Sequence, residues 1–295
     1  MDENYKVLVP TDFSNQSNYA LHQALHIAQR VEGIVVMLYV LQQKKGILGN
    51  IINKEQQEKY SVMVQDKLRE QAEEISQKHN ITVEYQLKYA TSVHSSIVEY
   101  ANEIKASIIV MGKGALIVDG KEMPSIGSIT SKVLRTAKIP VVTVSNKYHS
   151  KGCSNILLPL DLSKETRQKV SWGIQFARLF NSNIQLVSAL FGNNDFEVRQ
   201  TAAQMKQVVS FIKKQGVDVE GEIIRPKGNE KTFIDVLKSY MQDHKEIDLA
   251  IIMTQQEDDF THLFMGSSAN AFIKESKIPV MSIVPRQLDN IIIGM

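Results

Sequence analysis

An internal repeat limits the fold of this chain more than any other feature of the sequence. Residues 6–14 read KVLVPTDFS, and residues 155–163, which begin 149 positions later, read NILLPLDLS. At an offset of 139 positions, the pair Gly127-Ser128 and the KIPV segment 138–141 recur as Gly266-Ser267 and a second KIPV. The chain therefore consists of two similar halves, and the second is shorter by ten residues.

Length and composition agree with two globular domains. The 295 residues are 43% apolar and 22% charged, as in ordinary folded proteins. The longest apolar stretch, residues 34–41, is far shorter than the roughly 18 residues of a membrane-spanning helix. We predict domains at residues 1–147 and 154–288, joined by a polar segment that contains Gly152.

Short apolar, β-branched runs alternate with longer segments of helical periodicity in both halves. Ser14 is a candidate N-cap for the first helix. We predict strands at 7–9, 34–40, 81–89, 107–111 and 139–144, and again at 156–158, 184–190, 217–224, 249–253 and 280–284. Further helices are predicted at 53–79, 93–105, 164–180, 197–214, 231–243 and 268–276. This order predicts an α/β fold in which each half is a doubly wound, parallel-sheet domain.

Charge and cysteine content exclude several classes of partner. Lysines and arginines number 34 against 32 carboxylates, split 17 to 15 in the first 150 residues and 17 to 17 in the rest, so neither half is basic enough to suggest nucleic acid. The single Cys153 forms no internal disulfide, and His22 and His26 lack the accompanying ligands of a metal site. With an acidic start and no secretion signal, we expect a cytoplasmic protein that meets neither membrane nor nucleic acid.

The candidate binding residues follow the predicted strands. In an open parallel sheet, ligands bind beyond the carboxyl ends of the strands, where the strand order changes direction. A carboxylate there suits a sugar or base, while glycines and a helix start suit phosphates. The nucleotide-binding candidates are Pro10, Thr11, Asp12, Val40, Met111, Gly112, Lys113, Gly114, Gly127 and Ser128.

Each candidate also has a purely structural interpretation. Asp12 and Asp161 are favoured residues at helix entries, Gly112 and Gly114 could simply form a turn, and Gly127-Ser128 could be an ordinary capped helix start.

These motifs together resemble the universal stress protein family in its tandem form, over residues 5–285. The resemblance implies two adenine nucleotide alpha hydrolase-like domains that pack as an intramolecular pseudo-dimer through the last strands, 139–144 and 278–284. It leaves open the pairing of two chains as a homodimer. For ATP-binding members it implies a pattern of glycine, two residues, glycine, nine residues, then glycine and Ser or Thr.

The sequence departs from that pattern. One residue separates Gly112 from Gly114, and twelve separate Gly114 from Gly127 in a segment predicted to be a loop. In the second half both early glycines are missing, and the acids Glu257-Asp258-Asp259 stand where the first half offers Lys113 and Lys121. We therefore expect a nucleotide in the first half only.

Two function classes remain. The resemblance favours a non-catalytic stress-response module that binds ATP or another adenine nucleotide, with Mg²⁺ entering only with that nucleotide and no catalytic residues. The alternative is a nucleotide-hydrolysing enzyme of the wider adenine-nucleotide-binding α/β group. Turnover of radiolabelled ATP by the pure protein distinguishes the two.

Overall fold

The computed structural model describes residues 5–43, 54–118, 121–145, 153–160, 166–192, 194–254 and 267–284. The first half contains β1 (Lys6–Pro10), α1 (Asn15–Arg30), β2 (Ile34–Gln42), α2 (Lys54–His79), β3 (Val83–Ala90), α3 (Val93–Glu103), β4 (Ile108–Gly112), β5 (Ala115–Val118), β6 (Lys121–Pro124), α4 (Ser128–Thr136) and β7 (Val141–Val144). The second half contains β8 (Asn155–Pro159), α5 (Thr166–Phe180), β9 (Asn183–Ala189), α6 (Asp195–Lys214), β10 (Val219–Ile224), α7 (Phe233–Asp243), β11 (Leu249–Met253), α8 (Ser267–Glu275) and β12 (Val280–Ile283). The predicted alternation of strands and helices is confirmed.

Ten of these strands form one sheet, in the order β10-β9-β8-β11-β12-β7-β4-β1-β2-β3. Neighbouring strands are parallel within each half, whereas β12 and β7 are antiparallel. This pairing, called the seam below, sets Met281 opposite Val142 and Val280 opposite Thr143. The prediction that the halves pack as a pseudo-dimer through their last strands is confirmed.

Helices cover both faces of the sheet and bury two cores. Val7 and Val9 of β1 point to the face covered by α1, α2, α5 and α6, and Leu8 points to the face covered by α3, α4, α7 and α8. This alternation follows from the two-residue period of a strand. Each half contributes two helices to each face of the sheet, so the doubly wound prediction holds for each half.

One predicted loop is a hairpin. The segment between Gly114 and Gly127 contains β5 and β6, which pair antiparallel with Leu116 opposite Met123. The sequence Asp119-Gly120 between two short runs is a strong hairpin signal that the loop prediction does not use. The expected loop is therefore wrong, and the hairpin accounts for the long spacing between the two glycines.

Some predictions lie outside the described residues. These include the role of Asp161, the acids at 257–259, Gly266 and most of the joining segment. Across the ranges given above, none of the helices is both long and apolar enough to cross a membrane.

Candidate functional site

A cleft of about 480 Å³ lies at the carboxyl ends of β1, β2 and β4. Strand β1 stands between β2 and β4, so the chain leaves it in one direction and returns on its other side. This is the switch point at which open α/β sheets bind ligands, and the volume suits a small molecule. Nine of the ten predicted residues line the cleft, namely Pro10, Thr11, Asp12, Val40, Met111, Gly112, Gly114, Gly127 and Ser128.

The turn from β1 into α1 is held by side-chain hydrogen bonds. The backbone amide of Phe13 donates to Thr11 Oγ1 at 3.0 Å, and that of Ser14 donates to Asp12 Oδ1 at 3.0 Å. Ser14 is the N-cap of α1, as predicted, and its Oγ accepts from the amide of Ser17 at 3.2 Å. Asp12 therefore braces the turn before the cap and is not itself the cap.

Asp12 is an exposed carboxylate in this turn. Desolvation by the surrounding protein would raise the pKa of its carboxyl, but hydrogen bonds from Ser14 and Ser17 outweigh it and hold the pKa below its usual range. The group is thus anionic at neutral pH. An ionised carboxylate has room for several donors, so Asp12 can accept hydrogen bonds from a ligand while it holds Ser14.

The two early glycines are required by the protein's own packing. A Cβ atom on Gly112 would lie 2.7 Å from the carbonyl carbon and oxygen of Gln16 in α1. Gly114 has a φ of +91°, and a Cβ there would lie 2.7 Å from the amide nitrogen of Gly127. These glycines let the end of β4 touch both α1 and the start of α4.

Helix α4 begins at the cleft with Gly127 as its N-cap and no side-chain cap. The amide of Gly127 donates to the carbonyl oxygen of Lys113 at 2.9 Å, so the prediction that this amide holds phosphate is wrong. The following amides, beginning at Ser128, belong to the first helical turn, where no carbonyl of the same helix accepts from them. The positive end of the α4 helix dipole therefore lies at the cleft.

Lys113 is the tenth predicted residue, and its side chain does not reach the cleft. Its Nζ donates to the carbonyl oxygens of Lys274 at 2.9 Å and Ser276 at 2.8 Å, both in the second half. The residue is 7% exposed, and burial lowers the pKa of its ammonium to about 8. The expected attraction of this lysine for phosphates is therefore a wrong prediction.

The sequence interpretation missed several lining residues. Tyr39 stacks on Phe13 with ring centroids 5.3 Å apart, and its hydroxyl lies 3.1 Å from that of Tyr60. Burial, together with this hydroxyl contact, raises the pKa of Tyr39 to about 12 and keeps it neutral. Most of the other missed residues lie near the ends of predicted elements that border the cleft, and this position was the signal that could have found them. They are Ser14, Gln16, Ser17, Leu38, Leu41, Gln42, Val93, Ile97, Ile129 and Thr130.

The second half carries a partial counterpart of this arrangement. Thr254 directly follows β11, as Lys113 directly follows β4. The Thr254 amide donates to the carbonyl oxygen of Ile283 at 3.0 Å, and the Lys113 amide donates to that of Val144 at 2.7 Å.

No group of three or more His, Cys, Asp or Glu residues is placed to hold a metal ion in the described part of the chain. Burial, followed by the charge of neighbouring cationic groups, lowers the pKa of His22 and His26 on α1.

The fold and the cleft define a doubly wound α/β protein with a cleft at the switch point of its first half. Residues 4–145 match the universal stress protein family. A universal stress protein of Methanocaldococcus jannaschii is 27% identical over 145 residues, which are 47% of this chain and 81% of the relative. The first half of the chain is therefore a domain of the universal stress protein family.

Solved structures share the arrangement of both halves. A universal stress protein from Archaeoglobus fulgidus superposes with a TM-score of 0.75 at 16% identity, covering 96% of this chain and 99% of that one. A functionally unknown protein from Pseudomonas aeruginosa gives a TM-score of 0.65 at 17% identity, covering 96% and 93%. These likenesses show that the two-half fold is shared.

Proposed function

We propose that the first half of this universal stress protein binds ATP or a related adenine nucleotide, and that the chain acts as a non-catalytic, cytoplasmic stress-response module. The observation that carries the proposal is the switch-point cleft, which has Asp12 on one wall and the start of α4 on another. A carboxylate and a helix N-terminus are complementary to the two ends of a nucleotide.

The described residues suit the parts of such a ligand. Asp12 accepts hydrogen bonds from ribose hydroxyls or from the adenine amino group. The apolar side chains of Val40, Met111 and Ile97 line the cleft and offer a surface for the base. The amides that begin with Ser128 hold a phosphate at the positive end of α4, and Mg²⁺ enters only with the nucleotide.

Replacement of Asp12 tests this assignment. We expect Asp12→Ala to weaken ATP binding by about 1.5 to 3 kcal/mol, the range for a hydrogen bond to a charged group. Asp161→Ala, at the corresponding sequence position of the second half, is the matched control and should leave binding nearly unchanged. Calorimetric titration of the two variants and the native protein makes the comparison.

A second substitution separates binding from folding. Asp12 Oδ1 also accepts from the Ser14 amide, so Asp12→Ala costs some stability, whereas Asp12→Asn keeps a side-chain oxygen for that bond. We expect Asp12→Asn to melt near the native temperature and still bind ATP more weakly. Equal losses in Asp12→Ala and Asp161→Ala, or loss only in Asp161→Ala, would overturn the assignment.

A further inference from the structure

The side chain of Lys113 starts beside the first-half cleft and ends in the second half. Its ammonium is buried and donates to the carbonyls of Lys274 and Ser276, at the carboxyl end of α8. The last carbonyls of a helix lack donors within their own helix and carry the negative end of its dipole. A lysine from one half therefore caps a helix of the other.

The backbone of the same residue organises the cleft. Lys113 lies between Gly112 and Gly114, which both line the cleft. Its carbonyl accepts from the Gly127 amide at 2.9 Å, and the Gly127 carbonyl in turn accepts from Ser131 in α4 at 2.9 Å. The start of α4 is thus tied to the backbone of Lys113, whose side chain is anchored across the seam.

The residue at the equivalent position of the second half does not repeat this link. Thr254 occupies the position equivalent to Lys113, and its Oγ1 lies 3.4 Å from the carbonyl oxygen of Ile283 in its own half. A threonine hydroxyl is too short to reach the helix of the opposite half. At this pair of equivalent positions the anchoring therefore runs in one direction, from α8 of the second half to the cleft of the first.

We propose that Lys113 is a positioning residue that couples the first-half cleft to the second half, so that the capped end of α8 holds the start of α4 in its ligand-binding position. Two sets of hydrogen bonds carry the coupling. The Lys113 ammonium donates to the carbonyls at the end of α8, and the Gly127 amide donates to the Lys113 carbonyl. The consequence for the ligand rests on the proposed function above, whereas the coupling itself is a property of the protein alone.

Hydrogen–deuterium exchange on the ligand-free, full-length protein tests the coupling. In Lys113→Met the α8 carbonyls lose their donor, and we expect the amides of Ser276, Gly127 and Ser131 to exchange about tenfold faster. Thr143→Val is the matched control, because it removes another buried bond across the seam, from Thr143 Oγ1 to Val280 at 3.3 Å. In this control, Gly127 and Ser131 should exchange at the native rate.

Each other exchange result contradicts the proposal. Faster exchange at Ser276 with native rates at Gly127 and Ser131 would make Lys113 a helix cap without influence on the cleft. Equal acceleration at these amides and at those of β1, which lies between β4 and β2 in the sheet, would show global destabilisation in place of coupling. Acceleration at Gly127 in Thr143→Val as large as in Lys113→Met would assign the effect to the seam as a whole.

Calorimetry with ATP adds the ligand consequence. We expect Lys113→Met to weaken binding about tenfold and Thr143→Val to leave it unchanged, since only the lysine positions α4. Native affinity in Lys113→Met would overturn the coupling to the ligand. A native protein that fails to bind ATP would refute the proposed function, while the exchange data would still decide the coupling.

Discussion

Gly112→Ala is expected to lower the free energy of unfolding by about 3 kcal/mol, at the upper end of the range for overpacking. The new Cβ would meet the carbonyl carbon and oxygen of Gln16 at 2.7 Å. Because these are backbone atoms, no rotamer change relieves the contact, and α1 must move away from β4. Urea unfolding followed by circular dichroism measures the loss.

Gly127→Ala is the matched control for this substitution. Gly127 also lines the cleft, but a Cβ there would have its nearest neighbours at 3.8 and 3.9 Å, and its φ of −58° is open to any residue. We expect a change below about 1 kcal/mol, the usual effect of replacing a glycine at a helix cap. Similar losses in both variants would show that close approach to α1 is not what requires a glycine at position 112.

Met281→Asp is expected to destabilise the protein by at least about 4 kcal/mol, because it removes a buried side chain and places a carboxyl group in the core. Met281 is fully buried and stands opposite Val142 in the seam. The two halves should separate as the seam opens. Urea unfolding measures the stability, and small-angle scattering should show a larger radius of gyration.

Met63→Asp controls for the introduced charge. Met63 lies on α2 with 56% of its surface exposed, so a carboxylate there stays solvated. We expect this variant to remain within about 0.5 kcal/mol of the native protein. Native-like stability and size in Met281→Asp would contradict a seam that joins the halves.

The sequence predicts the elements well because their signals are local. The periodicity of the sequence predicts a strand at 249–253, which is the observed β11, and a helix at 53–79, which differs from the observed α2 by one residue at its start. Some boundaries differ by a residue or two, as in β3, which begins at Val83 and not at 81. The pairing across the seam was predicted from the family resemblance, since no local pattern specifies which edge strands meet.

The errors at the site come from contacts between distant residues. The acceptors of Lys113 lie 161 and 163 positions along the chain, so its charge alone suggested a phosphate ligand. The glycines were interpreted as room for a phosphate, whereas the backbone of Gln16 takes the space beside Gly112. The Asp12 turn was predictable, because the bonds that form it lie within a few residues.

The central claim is that an adenine nucleotide occupies the first-half cleft. Protein purified without added nucleotide, then denatured, releases its bound small molecules for mass spectrometry. We predict an adenine nucleotide from the native protein and from Asp161→Ala, and a strongly reduced amount from Asp12→Ala. Release of no nucleotide from the native protein, together with no calorimetric binding of ATP, would contradict the claim.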